Sequence, residues 1–418
     1  MKKKNIVISF LALANISVFS QEAKTVNKGM LSVEPHTIVS TYFDFENHTS
    51  GKMINDGEFY FYADYNNEGD VSFTQNKTTG YVVFEGKKSN IQKISGNAPS
   101  YFYNAIFNNA SQFTISNETV YKGLVNFSDG IVYMDHENGG AFVFLKGANH
   151  INTADKSHVD GEVEKIGNEQ FKYPIGDGRY YRFASISAPA LEADSFTGEY
   201  FLINSNTQYP HKDKEGSIEL IDNKEYWIIK KDHPTDSQVL VTLSWDERTT
   251  PTELLGNKTE LLRVVRWDEA EKLWIDEGGV VDFASKTVTT PVKMENYGVF
   301  TLGRIKKDWI EEGDVVIHNV VTDNNDGNND YFYIKNIQRY PENTVRIFNR
   351  WGREIYHTEN YDSNGNVFRG YAEGKGVINP GEKVPTGTYY YIVEYTIKTN
   401  DVSKRIKKAG YLHFEANK

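Results

Sequence analysis

Between residues 28 and 187 the chain alternates short apolar runs with polar turns. Phe59-Tyr60-Phe61-Tyr62, Tyr81-Val82-Val83-Phe84, Phe113-Thr114-Ile115, Leu124-Val125-Asn126-Phe127 and Ala141-Phe142-Val143-Phe144-Leu145 are separated by Gly, Asn and Asp. Runs this short, at close and fairly regular spacing, predict β-strands, and no amphipathic helical period interrupts them. The pieces at 113–115, 120–125 and 130–134 have the length of solenoid rungs. No exact repeat period emerges, so a β-solenoid and a β-sandwich both stand for this region. Gly176-Asp177-Gly178 predicts a hairpin turn between two aromatic-rich strands.

A second block spans about 193–305. Tyr226-Trp227-Ile228-Ile229, Val239 to Trp245, Leu262 to Trp267 and Gly298 to Leu302 combine β-branched and aromatic residues and predict a middle β-sandwich. Trp245 and Trp267 are each followed by Asp and suit core packing, with sugar-ring binding as the alternative. Trp274 is expected in a turn, and 249–258, polar around Pro251, in a loop. The charged stretch 306–313 reads as a linker. Strands are expected at 315–321, 331–337, 344–349, 354–356, 388–397 and 406–414, with a Gly- and Asn-rich connection over 361–385. The fold class expected is therefore all-β and multidomain: residues 21–190, residues 191–305, and a third domain over 314–418.

Within that third domain the run TDNNDGNNDYF stands out. Asn324, Asp326, Asn328 and Asp330 alternate around Gly327. Asn, Asp and Gly accept positive φ and cap their own backbone, which makes a tight loop. Side-chain oxygens at every second position also suit a calcium ion, although the spacing is not that of an EF-hand. Both readings stand for these four residues.

The motifs downstream add specificity. Asp326-Gly327-x-Asn329-Asp330 is followed by Phe332, then Phe348-Asn349-Arg350-Trp351-Gly352, then Pro385-x-Gly387-Thr388-Tyr389-Tyr390. In this order and spacing the segment resembles the gliding-motility-associated C-terminal domain, the type B sorting domain of Bacteroidetes proteins exported by the type IX secretion system. Asn325 stands where the family has a first Gly, Val384 where it has Leu, and Phe368-Arg369-Gly370 where it often has Trp-x-Gly. The resemblance implies an Ig-like β-sandwich and recognition by the type IX machinery. It also suggests attachment beside an outer-membrane barrel of the PorP/SprF kind, and a place on the cell surface. Type B cargo is often very large and this chain is short, which points to an accessory subunit of the gliding or secretion apparatus, or a structural or adhesive surface protein. A polysaccharide-binding or polysaccharide-degrading protein is the rival reading.

Composition narrows the partners. Lys2 to Lys4, the apolar run from Ile6 to Phe19 and the small residues Val18 and Ser20 form a signal peptide over 1–20, with Gln21 at the mature N-terminus. No later apolar stretch reaches the ~20 residues of a membrane span. The formal net charge of −11 becomes −14 without the three leader lysines, which argues against duplex nucleic acid as a partner. The chain has no cysteine, so thiol catalysis and cysteine zinc sites are excluded. No Gly-x-Ser-x-Gly, His-Glu-x-x-His or P-loop motif is present, so the reading is of a non-enzyme without a cofactor, calcium aside. His150, Asp155, His158 and Asp160 form the densest His/Asp cluster, with a polar loop as the plainer reading and a metal site as the other.

Overall fold

The computed structural model describes residues 23–416 except 87–89, 233–236, 257–260, 307–314, 325, 326, 328, 364, 374–379, 400 and 401. The leader, nearly all of the linker, Asp326 and Asn328 lie outside the described residues.

The first half of the chain is a solenoid of about 7 turns, which decides between the two expectations for this region. Its first turn comprises β1 (Lys24–Asn27), β2 (Met30–Val33) and β3 (Ile38–Thr41), and its second β4 (Asp44–Asn47), β5 (Lys52–Asn55) and β6 (Glu58–Phe61). Each strand lies parallel on its counterpart one turn on, so that three sheets run along the molecule. Like residues stack along the sheets. Phe61, Phe84, Phe107 and Phe127 occupy one register, with successive ring centroids 5.6, 5.4 and 5.8 Å apart. Asn27, Asn47 and Asn67 form a side-chain amide ladder, each Nδ2 donating to the next Oδ1 at 2.8 Å. The ladder steps by 20 residues. Farther along, Tyr65 pairs with Ile94 and Val159 with Ile175, longer and shorter steps made by corner loops of unequal length. That unevenness hides the repeat from a fixed-period search.

The solenoid does not end at a boundary. The strand Val163–Ile166 of one sheet pairs antiparallel with Ser195–Phe201, and that sheet continues through Tyr226–Lys231, Gly298–Ile305, Leu262–Asp268 and Leu273–Asp276. A five-stranded sheet that includes Ala184–Ile186, Val241–Ser244 and Thr287–Thr289 contributes to the same core. One apolar cluster therefore reaches from Val33 to Leu302. Trp245 and Trp267 are buried, in keeping with core packing. Trp274 is also buried and lies in a strand, not a turn: it pairs across from Trp267, and its indole N–H reaches the Tyr209 carbonyl. The expected loop at 249–258 holds a short helix, Thr252–Leu255, which buries Leu254 and Leu255. The hairpin at Gly176 turns one step later than expected, since Asp177 already pairs with Tyr180 and Gly178 takes φ 56°.

Inside this block an ion pair is enclosed. Arg182 grips Glu225 with two nitrogens, at 2.9 and 3.0 Å, and donates also to Ser244. The hydroxyls of Tyr200 and Thr250 donate to the same carboxylate. Every oxygen of the buried anion is thus bonded, the condition under which a buried charge is tolerated.

The third domain has its own apolar cluster, running from Val315 to Phe414. Its main sheet has the order Val320–Thr322, Val402–Glu415, Gly387–Thr399, Asn343–Phe348, Glu354–Glu359. A small second sheet pairs Val316–Ile317 with Ile334–Lys335. The strand expected over 331–337 is reduced to that two-residue piece, followed by the 3-10 turn Ile337–Arg339.

Candidate functional site

The motif residues of the third domain divide into those that build the core and those that face solvent. Phe332 is buried where the acidic loop ends. Its N–H reaches the Phe368 carbonyl at 2.9 Å, and its carbonyl accepts from the Tyr361 hydroxyl at 2.5 Å. Tyr361 in turn accepts from the Phe368 N–H, and burial pushes its phenol well above the ordinary range. Phe368, standing where the family often has Trp, packs edge-on to Tyr356 at 5.1 Å. Gly370 follows at φ 83°, and a Cβ there would lie 2.2 Å from the Phe414 ring. Tyr361 and Asn343, which accepts the Tyr361 N–H at 2.7 Å, were not marked by the sequence reading. No spacing rule points to the bonds that tie them in, which run from Tyr361 to the Phe332 carbonyl 29 residues away and from the Tyr361 N–H to Asn343 18 residues away.

In the acidic loop Asp330 Oδ2 accepts from the Gly327 N–H at 2.9 Å, and Asn329 returns its carbonyl to the Thr322 N–H. Gly327 and Asn329 have φ of 88° and 55°. These are the bonds of a self-capped turn. Asp330 Oδ1 is buried and has no partner among the described residues. Carboxylate and amide oxygens are donors of the type a hard cation takes, but Asp326 and Asn328 lie outside the described residues, so the structure does not bring Asn324, Asp326, Asn328 and Asp330 together. Among the described residues no group of three metal-binding side chains converges.

The Phe348–Gly352 motif is a hairpin tip. Phe348 is buried, and a register shift falls between Ile347 and Phe348. Asn349 Oδ1 accepts the N–H groups of Trp351 and Arg353 at 3.0 and 3.1 Å. Gly352, at φ 71°, closes the turn with its N–H on the Asn349 carbonyl. A Trp at a strand-to-strand turn, with Gly352 supplying the turn, is expected to lay its indole over the core; Trp351 is instead 64% exposed. The register shift and the turn lift it off the sheet, where the Arg350 guanidinium lies over its ring at 4.3 Å. The Pro385–Tyr390 motif is a second turn: the Tyr389 hydroxyl returns to the Pro385 carbonyl at 2.6 Å while its ring is buried, and the exposed Thr388 and half-buried Gly387 begin the long strand. Tyr390 is half-buried, and its phenol is raised by burial and by Asp282.

The His/Asp cluster at 150–160 does not converge on one point among the described residues. His150 meets the Lys172 carbonyl and packs against the Phe171 ring, His158 meets the Ala154 carbonyl, Asp160 accepts from the Gly178 N–H, and Asp155 pairs with Arg248. Burial lowers the His150 pKa to about 4 and lowers that of His158. The four side chains serve separate local contacts.

Compared with known protein families, residues 315–414 match the CHU_C type IX secretion signal domain. No curated protein and no solved structure matches the chain. No helix among the described residues is long and apolar enough to cross a membrane. Residues 315–414 thus belong to the type IX secretion signal family, the C-terminal sorting domain of Bacteroidetes surface proteins, which implies that the type IX machinery handles this chain and exports it to the cell surface or beyond.

Proposed function

We propose that the exported protein is a structural or adhesive surface component, or an accessory subunit of the gliding or secretion apparatus, and not an enzyme. The observation that carries this reading is the shared core from Val33 to Leu302, which joins solenoid and middle block into one stiff body carried by the sorting domain. The charge network of Arg182 with Glu225 is buried and spent on internal bonds. In this reading the leader at 1–20 takes the chain across the inner membrane. Arg350 and Trp351, a cation and an indole held together at a hairpin tip, are the contact read by the secretion machinery. An outer-membrane barrel of the PorP/SprF kind is the partner that retains the chain. Affinity capture of the full chain from outer membranes, followed by mass spectrometry, tests this. Recovery of gliding or secretion subunits supports it; recovery of free chain alone defeats the accessory role.

A second reading has its own support. Tyr42 and Tyr62 stack at 4.5 Å on the outside of the solenoid, with Tyr60 beside them and Glu58 and Glu85 on the same strip. Aromatic rings beside carboxylates suit a polysaccharide. A glycan-binding screen with a hydrolase assay on the full chain separates the two readings.

A further inference from the structure

Among the described residues the solenoid is open at its first turn. β1, β2 and β3 are the outermost strands of the three solenoid sheets at one end, and each has a strand on one side only. Unpaired strand edges are templates for further pairing, and solenoids ordinarily cover them with a polar terminal turn. Here the terminal turn is the less polar one. Val26 stands in register with Glu46, Met30 with Lys52 and Ile38 with Glu58, so one outward position on each sheet changes from charged to apolar. Val26, Met30 and Ile38 are 42, 67 and 68% exposed. Tyr42 and Phe43 add two exposed rings at the following corner. Inward, Leu31 and Val39 lie over Met53 and Phe59 but are only half-buried, with no described residue over them on the open side. The far end of the solenoid lacks this character, since Val163–Ile166 passes directly into an antiparallel partner.

We propose that this open turn is a self-association surface on which a second copy of the chain docks head to head. Three edges around one core are matched at once only by another solenoid turn; a single peptide strand satisfies one of them. A two-fold axis perpendicular to the solenoid reverses the sense in which the chain circulates. Facing strands then run antiparallel, the more stable pairing, and the three edges are of equal length, 4 residues each. Such an interface is isologous and closes at two copies, so it forms a dimer and not a fibre. Charge permits the approach: the first turn carries Lys24, Lys28 and Glu34, with His36, and Lys24 is already paired with Glu46. The marked acidity of the chain lies elsewhere.

The test is the mass of the full chain, freed of its leader, by light scattering across a concentration series into the tens of micromolar. A mass twice that of the chain is expected. Met30→Glu together with Ile38→Glu places like charges on outward positions without entering the core. This double variant is expected to be monomeric with an unchanged melting curve and circular dichroism spectrum. Because the chain has no cysteine, Val26→Cys, Met30→Cys and Ile38→Cys each supply a single thiol. Mixed in pairs with a short bismaleimide they are expected to give covalent dimers, and Glu295→Cys, far along the chain on an exposed loop, is not. A monomer at every concentration overturns the proposal. So does a dimer that survives the double variant or cross-links equally through Glu295→Cys, because the contact then lies on another surface.

Discussion

Trp351 and Phe368 show how two aromatic residues of one domain serve different ends. Phe368 lies within the core and is fixed by Tyr361, Tyr356 and Phe414. Phe368→Ala is expected to destabilise the full chain by ~3–5 kcal/mol, the cost of truncating a buried ring, measured by denaturant unfolding. Trp351 is held out on a hairpin tip. Trp351→Ala is expected to shift stability by no more than about 0.5 kcal/mol, as a surface substitution does, yet to lower export in a type IX-competent host. Normal export of a stable Trp351→Ala chain removes the indole from the recognition surface. The acidic loop allows an equally direct measurement. A bound ion stabilises the folded state by mass action, so on the metal reading calcium raises the melting midpoint and Asp330→Ala abolishes the rise. On the turn reading, calcium and chelator give superimposable curves. The Gly327–Asp330 hydrogen bond favours the second outcome.

Among the elements, stacked turns and enclosed charges set stability. Glu225→Gln keeps the shape of the buried carboxylate but leaves Arg182 an uncompensated buried cation. It is expected to cost ~3–5 kcal/mol in equilibrium unfolding, whereas a surface pair such as Lys286–Glu247 contributes ~0–1 kcal/mol. On the sheet that links solenoid to middle block, burial, helped by Glu162, raises the Glu199 pKa to about 7. The sign follows from linkage. The folded state holds this proton more tightly than the unfolded chain, so the carboxyl weakens the fold fully above about pH 7 and not at all below its unfolded pKa near 4.5. Glu199→Gln should therefore raise the melting midpoint more at about pH 8 than at about pH 4, read by thermal scans at both. Equal gains at the two pH values exclude the ionised carboxylate as the cause. His150 acts in the opposite sense: with its folded pKa lowered to about 4, it weakens the fold as pH falls from about 6.5.

At the scale of the whole molecule, the chain is a stiff body carried by an export domain with its own core. A reporter carrying the leader and residues 314–418 is expected to reach the surface only where the type IX system is intact. Equal export from a host lacking that system contradicts the assignment. Separate cores explain why such a transfer is reasonable, since the apolar cluster from Val315 to Phe414 draws on no residue of the cluster before it.

Strand periodicity, turn residues and the motifs from Gly327 to Tyr390 were enough to assign an all-β chain and its sorting domain. Those signals are local: alternation, φ preference and short spacing depend on neighbours in the chain. Tertiary structure decided what depends on distant partners. The solenoid was hidden because its turns differ in length, and only parallel register shows that Phe61, Phe84, Phe107 and Phe127 form one column. Trp274 entered a strand because Trp267 and the Tyr209 carbonyl lie across from it. Trp351 left the core because a one-residue register shift and the Asn349 turn override simple alternation. The role of Val26, Met30 and Ile38 also appears only in three dimensions. In sequence they are ordinary strand residues, and in the fold they lie together on the first described turn, on three strands each paired on one side among the described residues.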